Sequence, residues 1–431
     1  MNLYQVLSNS LQQLDRDRVT FCAYSGNVDW VITLRGDDFL VFQNEVGFWP
    51  TFFSEQLYQP EIKSVSDIIN YVIYFLHTNS GGEGDLQEPK IVKEVMNLLR
   101  GYFSIGGTGA QAANFLAHLG CSKINLHLPI YNTYFQKVLH PSLRIYDNTP
   151  FYFKKLGEEI FSLSEIHCIF DYAAGTVYRI GNDIFQTKKA DRVILSNDRC
   201  NSDIYISEAF KQELLKPHMN MNSSFLVSGF NLVRKMEDLI RFVKENQLII
   251  EHFRKAHPFS SSIHLEEGDH WDKEKERREI ISSAIYPLVD SLGMNKREFE
   301  RITFLNNLKN DDPIQSLYAM ACSYGLKRVG VHSSEYCLVV SSYPTEQEML
   351  ADGLGILLSA AKAYYGSFIG TDELERFLNL THDLALSKEV YYPRPLGNGY
   401  YAFRIPTLEG IPVSSSLGLG DAFTAGLLPY L

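Results

Sequence analysis

The chain has 431 residues, 45% hydrophobic and 21% charged, a globular balance that can bury a large core without disulfide or metal staples. Its formal net charge of −11 argues against a surface built for nucleic-acid backbones, although a local cluster of Arg and backbone amides can still hold a phosphorylated small molecule. Residues 1–17 lack an apolar signal-peptide core and no run of about 18 apolar residues occurs, so no transmembrane helix or membrane partner is expected and the cytoplasm is the default compartment.

Residues 3–14 repeat apolar positions at helical spacing. Residues 19–24 form a β-type run that stops at Ser25-Gly26-Asn27, where glycine permits a sharp turn. Residues 31–50, β-branched and aromatic around Gly36-Asp37-Asp38, read as a hairpin. An amphipathic helix is expected over 66–76, a glycine-rich loop without regular structure over 77–89, and a helix over 90–99. A short apolar run, 102–105, enters Gly106-Gly107-Thr108-Gly109, followed by a small-residue helix at 110–119 and a strand at 124–130. Further strands are expected at 166–172, 193–196, 225–228, 262–265, 328–331, 336–341 and 400–405. Helices are expected at 232–252, 279–292, 314–324 and 346–365, and after Asp421. The alternating charges of 273–279 read as a solvated helix face. The six cysteines form no C-x-x-C pair and read as reduced thiols, mostly in the core.

From about residue 120 onward strands alternate with helices, which favours an α/β fold whose mostly parallel central sheet is covered on both faces. The β-rich segments 31–105 and 161–205 stand outside this alternation and read as one smaller lid domain entered twice. The remainder, 1–30, 106–160 and 206–431, forms the large domain.

Chemistry concentrates at Gly418-Leu419-Gly420-Asp421. Two glycines permit a tight turn into a helix whose unpaired N–H groups and dipole make an anion site. An acid held there can accept the proton of a hydroxyl that attacks a phosphate. Asn295-Lys296-Arg297-Glu298 offers a carboxylate able to hold Mg2+ through water. Glu266 follows a strand, at the sheet end where ligands bind, and His264, Glu266 and His270 together are the rival reading as transition-metal ligands. Asn27 and Asp29 pair an amide with a carboxylate suited to vicinal hydroxyls. The stretch from Gly107 to Ala112 matches G-x-G-x-x-A, but it opens no βαβ unit and has no acid about 20 residues on, so a dinucleotide fingerprint is rejected. No Walker A pattern is present.

In order along the chain these residues resemble the ADP-dependent sugar kinases, the glucokinase and phosphofructokinase branch of the ribokinase-like superfamily. The resemblance rests on Asn27-Val28-Asp29, the stretch from Gly106-Gly107 to Ala113-Asn114, Asp191-Arg192-Val193-Ile194, Ser228-Gly229-Phe230-Asn231, His264-Leu265-Glu266, Asn295-x-x-Glu298, Val331-His332-Ser333 and Gly418-x-Gly420-Asp421. It implies a ribokinase-like three-layer αβα domain with a smaller β-rich lid, ADP as phosphoryl donor, Mg2+, and a sugar or sugar phosphate as acceptor. It further implies Asp421 as base, Gly418 to Gly420 as anion hole with Gly420 at the nucleotide, and Glu266 and Glu298 steering the metal. Asn27, Asp29, Gly106 and Gly107 would hold sugar hydroxyls, Arg192 would reach from the lid to the sugar or its phosphate, and His332 and Ser333 would line the adenine side. Glu83, Asp85 and Glu88 remain open as the lid acid. The chain departs from the family pattern at Thr108, where Gln is usual, at Gly268-Asp269 and at Asp191. An ATP-dependent ribokinase-like kinase, and a binding protein without turnover, are the alternatives.

Overall fold

The computed structural model describes residues 1–38, 61–180, 183–217, 221–258, 261–270, 273–308, 310–391 and 393–431. Its strands are β1 (Val19–Ala23), β2 (Asn27–Thr33), β3 (Glu61–Ile62), β4 (Gly82–Leu86), β5 (Tyr102–Gly106) and β6 (Ile124–His127). They continue as β7 (Arg144–Tyr146), β8 (Ile166–Tyr172), β9 (Val177–Ile180), β10 (Asp183–Gln186), β11 (Asp191–Ser196) and β12 (Ser223–Val227). The last are β13 (Ser261–Glu266), β14 (Ser291–Asn295), β15 (Arg328–His332), β16 (Tyr336–Ser341), β17 (Arg394–Gly397) and β18 (Tyr400–Pro406).

Ten strands form the large sheet, in the order β17-β18-β16-β15-β14-β13-β12-β1-β6-β7. Neighbours are parallel from β7 through β15, and β16, β18 and β17 close the edge antiparallel. Successive residues of the central strands feed opposite faces. Cys22 and Leu226 join one apolar cluster, with the helix Leu3–Gln12 and the helix Thr345–Tyr365, while Phe21 and Phe225 join another, with the helix Met236–Ala256. Both faces are covered, which is why these strands read as continuous apolar runs. Helix termini follow electrostatics: Met236–Ala256 starts with Glu237 and Asp238 and ends with Arg254 and Lys255.

A second sheet of six strands, β3-β4-β11-β8-β2-β5, has its own core of Ile32, Ile69, Val72, Phe170 and Val193. The chain crosses between the sheets where β1 ends and β2 begins, so Asn27 and Asp29 lie on the second sheet.

Two expectations needed correction. Residues 82–86 form β4, paired in parallel with β11, where a loop was expected; glycine serves close packing there, since a Cβ at Gly82 would lie 2.2 Å from the Phe75 ring. The helix expected over 279–292 stops at Ala284, a 3-10 turn with Pro287 follows, and Leu292 belongs to strand β14. The expected hairpin is described only to residue 38, and its remainder lies outside the described residues. All six cysteines are unpaired, and only Cys322 is exposed. Among the described residues no helix is long and apolar enough to cross a membrane.

Candidate active site

The first group gathers at the sheet crossing. Asn27 and Asp29 on β2 face Gly106 and Ser104 on β5, and Asn27 Nδ2 donates to Asp29 Oδ1 at 2.5 Å. Gly106 is required, because a Cβ would stand 2.2 Å from that Nδ2 and 2.8 Å from Asp29 Oδ1. Gly107 has φ +83°, open to glycine, and begins the helix Thr108–His118. Burial pushes Asp29 up to about 6, against the pull of His167 and Arg192, and the charge of Asp421 adds to the rise.

Asp421 is the third residue of the helix Leu419–Leu427. Gly418 is its N-cap, at φ +69°, and makes no side-chain cap, so Asp421 is not a capping residue. Gly420 lies inside the helix rather than in the turn, and its lack of a side chain leaves room for His332, whose Cε1 would be 3.0 Å from a Cβ. The Asp421 carboxylate accepts a 2.7 Å hydrogen bond from Gln111 Nε2. Burial raises its pKa, as does Glu266, while the Thr108 hydroxyl, His332 and Arg192 oppose the rise. The preceding loop is tied to the second sheet, for Arg192 Nη1 on β11 donates to Ser416 O at 3.1 Å and to Ser416 Oγ at 3.0 Å.

Glu266 ends β13 between two imidazoles. His264 Nε2 lies 3.0 Å from Oε2, and His332 Nε2 lies 3.0 Å from Oε1. His264 Nδ1 is in turn fixed 2.8 Å from Ser291 Oγ on β14. Burial alone would raise Glu266, but the hydrogen bonds from His264 and His332 hold it down, to about 2. Glu298 closes a capping box with Asn295: Asn295 N donates to Glu298 Oε2 at 2.7 Å, and Glu298 N donates to Asn295 Oδ1 at 2.9 Å. Burial, together with Glu266, Asp269 and Glu267, pushes its carboxyl well above the ordinary range.

This crowding of carboxyls is an environment that a divalent cation relieves. Among the described residues no three His, Cys, Asp or Glu side chains are grouped to hold a metal directly. The donor set therefore fits Mg2+ held through its water shell by Glu266 and Glu298, and does not fit a transition metal on His264, Glu266 and His270.

A cavity of about 800 Å3 opens beside these groups, lined among others by Arg192, Asn295, His332, Ser333, Gly418, Gly420 and Asp421. Its size suits a nucleotide-scale ligand. Asn27, Asp29, Gly106 and Gly107 do not line it; Asp29 joins the cluster through the mutual field of its carboxyl with Asp421 and with Lys362. Of the three lid acids, Glu83 shares the field of Arg192 and His167, and its carboxyl is raised chiefly by burial. Glu83 is exposed on β4 and does not line the cavity. Asp85 is instead paired with Arg234 at 2.9 Å.

Three contributors escaped the sequence reading. Gln111 sits one helical turn after Thr108, on the same face, and both bond Asp421. Lys362 is 2% exposed within a long apolar helix; burial lowers it to about 8, while Asp29 and Asp421 pull the other way. A lone lysine in an apolar run was the available signal. His167 on β8 lies 2.9 Å from Asp198 and 3.9 Å from Asp29, and nothing in its local sequence marks it.

Comparison with known proteins places the chain as a whole. A family model described as "ADP-specific Phosphofructokinase/Glucokinase conserved region" matches residues 18–430. The ADP-specific phosphofructokinase of Thermococcus litoralis is 24% identical over 447 residues, covering 94% of each chain. The ADP-dependent glucose/glucosamine kinase of Pyrococcus furiosus is 24% identical over 284 residues, 60% of this chain and 59% of that one. A crystal structure of a hypothetical ADP-dependent phosphofructokinase from Pyrococcus horikoshii OT3 superposes with a TM-score of 0.74 at 19% identity, covering 97% and 98% of the two chains. A structure titled as an ADP-dependent kinase complex with fructose-6-phosphate and ADPbetaS gives 0.70 at 18% identity, covering 99% and 96%.

Proposed function

From the premise that this chain belongs to the ADP-specific phosphofructokinase/glucokinase family, which the match over residues 18–430 establishes, we propose that it is an ADP-dependent sugar kinase acting on a hydroxyl of a hexose or hexose phosphate. The observation that carries this reading is the carboxylate of Asp421, held in the first turn of a helix beside a cavity of about 800 Å3 and within the field of Asp29.

The donor occupies that cavity with its terminal β-phosphate at the free N–H groups beginning the helix Leu419–Leu427; His332 stands against Gly420 and so belongs to this phosphate end, not to the adenine side where the resemblance puts it. Gly418 and Gly420 keep that approach clear of side chains, and Arg192 adds a positive charge from the second sheet. The acceptor sugar sits on Asn27, Asp29 and the Gly106-Gly107 backbone, with Glu83 as the acid offered from β4. Asp421 takes the proton of the attacking hydroxyl as the oxygen–phosphorus bond forms and the bond to the leaving phosphate breaks. Glu266 and Glu298 would hold Mg2+ through water, and the ion would supply positive charge to the donor phosphates. Water is kept out when the six-stranded sheet closes over the cleft. We assign 27–106 and 161–205 to that lid, because all of β2 and β5 belongs to its sheet and the expected boundaries at 30/31 and 105/106 cut through them, and 1–26, 107–160 and 206–431 to the large domain.

A screen of ADP and ATP against glucose, fructose 6-phosphate, glucosamine, ribose and nucleosides identifies donor and acceptor. On the best pair, Asp421→Asn lowers kcat by about 10²–10⁴-fold. Wild-type turnover in that variant would refute the role of the base.

A further inference from the structure

The segment from Gly107 to Ala112 is no dinucleotide fingerprint, yet one of its side chains reaches the Asp421 carboxylate. We infer that Gln111 is a positioning residue for phosphoryl transfer, wedged between Gly418 and Asp421 to fix the carboxylate that accepts the proton. This rests on the reading of Asp421 as base.

Its seat is rigid. Gln111 is 4% exposed, and residues 109–117 of its helix are all buried. The helix is pressed against the end of β1: a Cβ on Gly109 would lie 3.0 Å from the carbonyl carbon of Ala23, and one on Gly107 would lie 2.8 Å from Cα of Gly26. From this seat Gln111 Nε2 reaches Asp421 Oδ2 at 2.7 Å. Its Oε1 lies against Gly418, where a Cβ would come within 2.0 Å. Glycine at 418 is thus demanded twice, by φ +69° and by the amide beside it.

A long polar side chain among Ala110, Ala112 and Ala113 is a poor choice for packing. Ordering it costs rotamer freedom, and burying its amide costs more unless it is bonded. The bond it makes does two things for a base. It fixes the rotation of the carboxylate, so the oxygen that meets the acceptor hydroxyl is the same in every turnover. It also favours the anion over the acid without offering a site where the transferred proton could go, because a primary amide is not a base at these pH values.

The charged groups facing Asp421 are Asp29 from β2, Arg192 from β11, Glu266 from β13, His332 from β15 and Lys362 from the helix Thr345–Tyr365. None of them lies on the helix that carries Gln111, so substitution there leaves them in place.

The test uses the full chain with its best donor and acceptor, in three variants. Gln111→Met keeps length and removes the donor. We expect kcat to fall about 10- to 100-fold, the loss of one hydrogen bond to a charged group, with KM for both substrates within about threefold. The acid limb of the kcat–pH profile moves to higher pH. Gln111→Glu places a second carboxyl beside the first and moves that limb further, by more than about one unit. Asp421→Asn is the control. If it is inactive while both Gln111 variants keep wild-type kcat and pH profile, the positioning role fails and the base stands. If Asp421→Asn turns over normally, the base reading fails and this inference fails with it. A rise in KM with kcat unchanged in Gln111→Met would also overturn it, since that is the signature of a substrate contact.

Discussion

The side chains of this site are set by neighbours far away in sequence, and His167 shows the consequence. Burial alone would discharge its imidazole, but Asp198 at 2.9 Å, with Asp29 and Glu165 further off, raises it to about 9. A histidine raised above its unfolded value stabilises the fold fully below about pH 6.5, and that contribution fades as the pH climbs through about 9. The contribution is on the order of 3 kcal/mol. Urea unfolding of the wild type should therefore show stability falling between pH 7 and 9. Asp198→Asn should be less stable at pH 7, and its profile over the same interval should be flatter; parallel profiles would mean that His167 is not the group titrating. None of this was legible in the sequence. The glycines at 106, 107 and 418 stand out because their place in a series of motifs along the chain singles them out, and the structure gives each a steric or conformational reason to be glycine. His167 and Gln111 carry no local mark, and the lone Lys362 in its apolar run signals burial without showing which acids it faces.

At the scale of elements, the legible parts were those whose local pattern agrees with their final pairing. Strands β1, β12 and β13 are buried almost throughout, and the β-type run at 19–24, the buried-type run at 225–228 and the short strand at 262–265 mark them in the sequence. Strand β4 was not, because Gly82-Glu83-Gly84-Asp85-Leu86 has no strand propensity and is extended only by pairing with β11 and β3. Strand β14 was absorbed into a helix because residues 280–292 carry enough apolar positions to continue one, and Pro287 was passed over. One buried cluster now holds such elements in register. Arg328 of β15 is wholly buried and binds Glu348 Oε1 at 2.5 Å and Asp352 Oδ1 at 2.7 Å, both on the helix Thr345–Tyr365. Two acids share one cation, and burial followed by the charge of Glu348 pushes Asp352 up to about 7, against the pull of Arg328. Arg328→Met should cost about 3–5 kcal/mol at pH 7, because it strands buried carboxyls. The cost should shrink at pH 5, where Asp352 takes up a proton, and it should be largely recovered when Glu348→Gln and Asp352→Asn are added. Equal losses at both pH values would show that the cluster acts through packing alone.

At the scale of the whole molecule, a kinase that uses ADP must favour a sugar hydroxyl over water, and the proposed mechanism assigns that choice to the cavity beside Asp421, which Arg192 of the second sheet helps to line. The chain crosses between the two sheets near Gly26, Gly107, Glu165 and Asn201, and the crossings at Gly26, Glu165 and Asn201 are clamped together. Asn201 Nδ2 donates to Gly26 O at 3.0 Å, and the buried Glu165 carboxylate accepts from Arg199 N at 2.7 Å and Cys200 N at 2.6 Å. Away from this clamp, Arg192 bridges the second sheet to the loop that carries Gly418, through two hydrogen bonds to Ser416. If that bridge holds the cleft shut during transfer, Arg192→Gln should do more than weaken binding. It should lower kcat by about 10- to 100-fold, and the remaining turnover should leak, with more ADP consumed than sugar phosphorylated, because water reaches the β-phosphate in a cleft that no longer closes. The decisive quantity is the ratio of AMP formed to sugar phosphate formed. It should be close to one in the wild type and above one in Arg192→Gln. In Ser416→Ala, which keeps the guanidinium but removes one of its two acceptors, it should lie between them. A variant that is slow but still tightly coupled would mean that Arg192 serves only as a charge beside the phosphate, and the closing contact would have to be sought elsewhere along the rim of the six-stranded sheet.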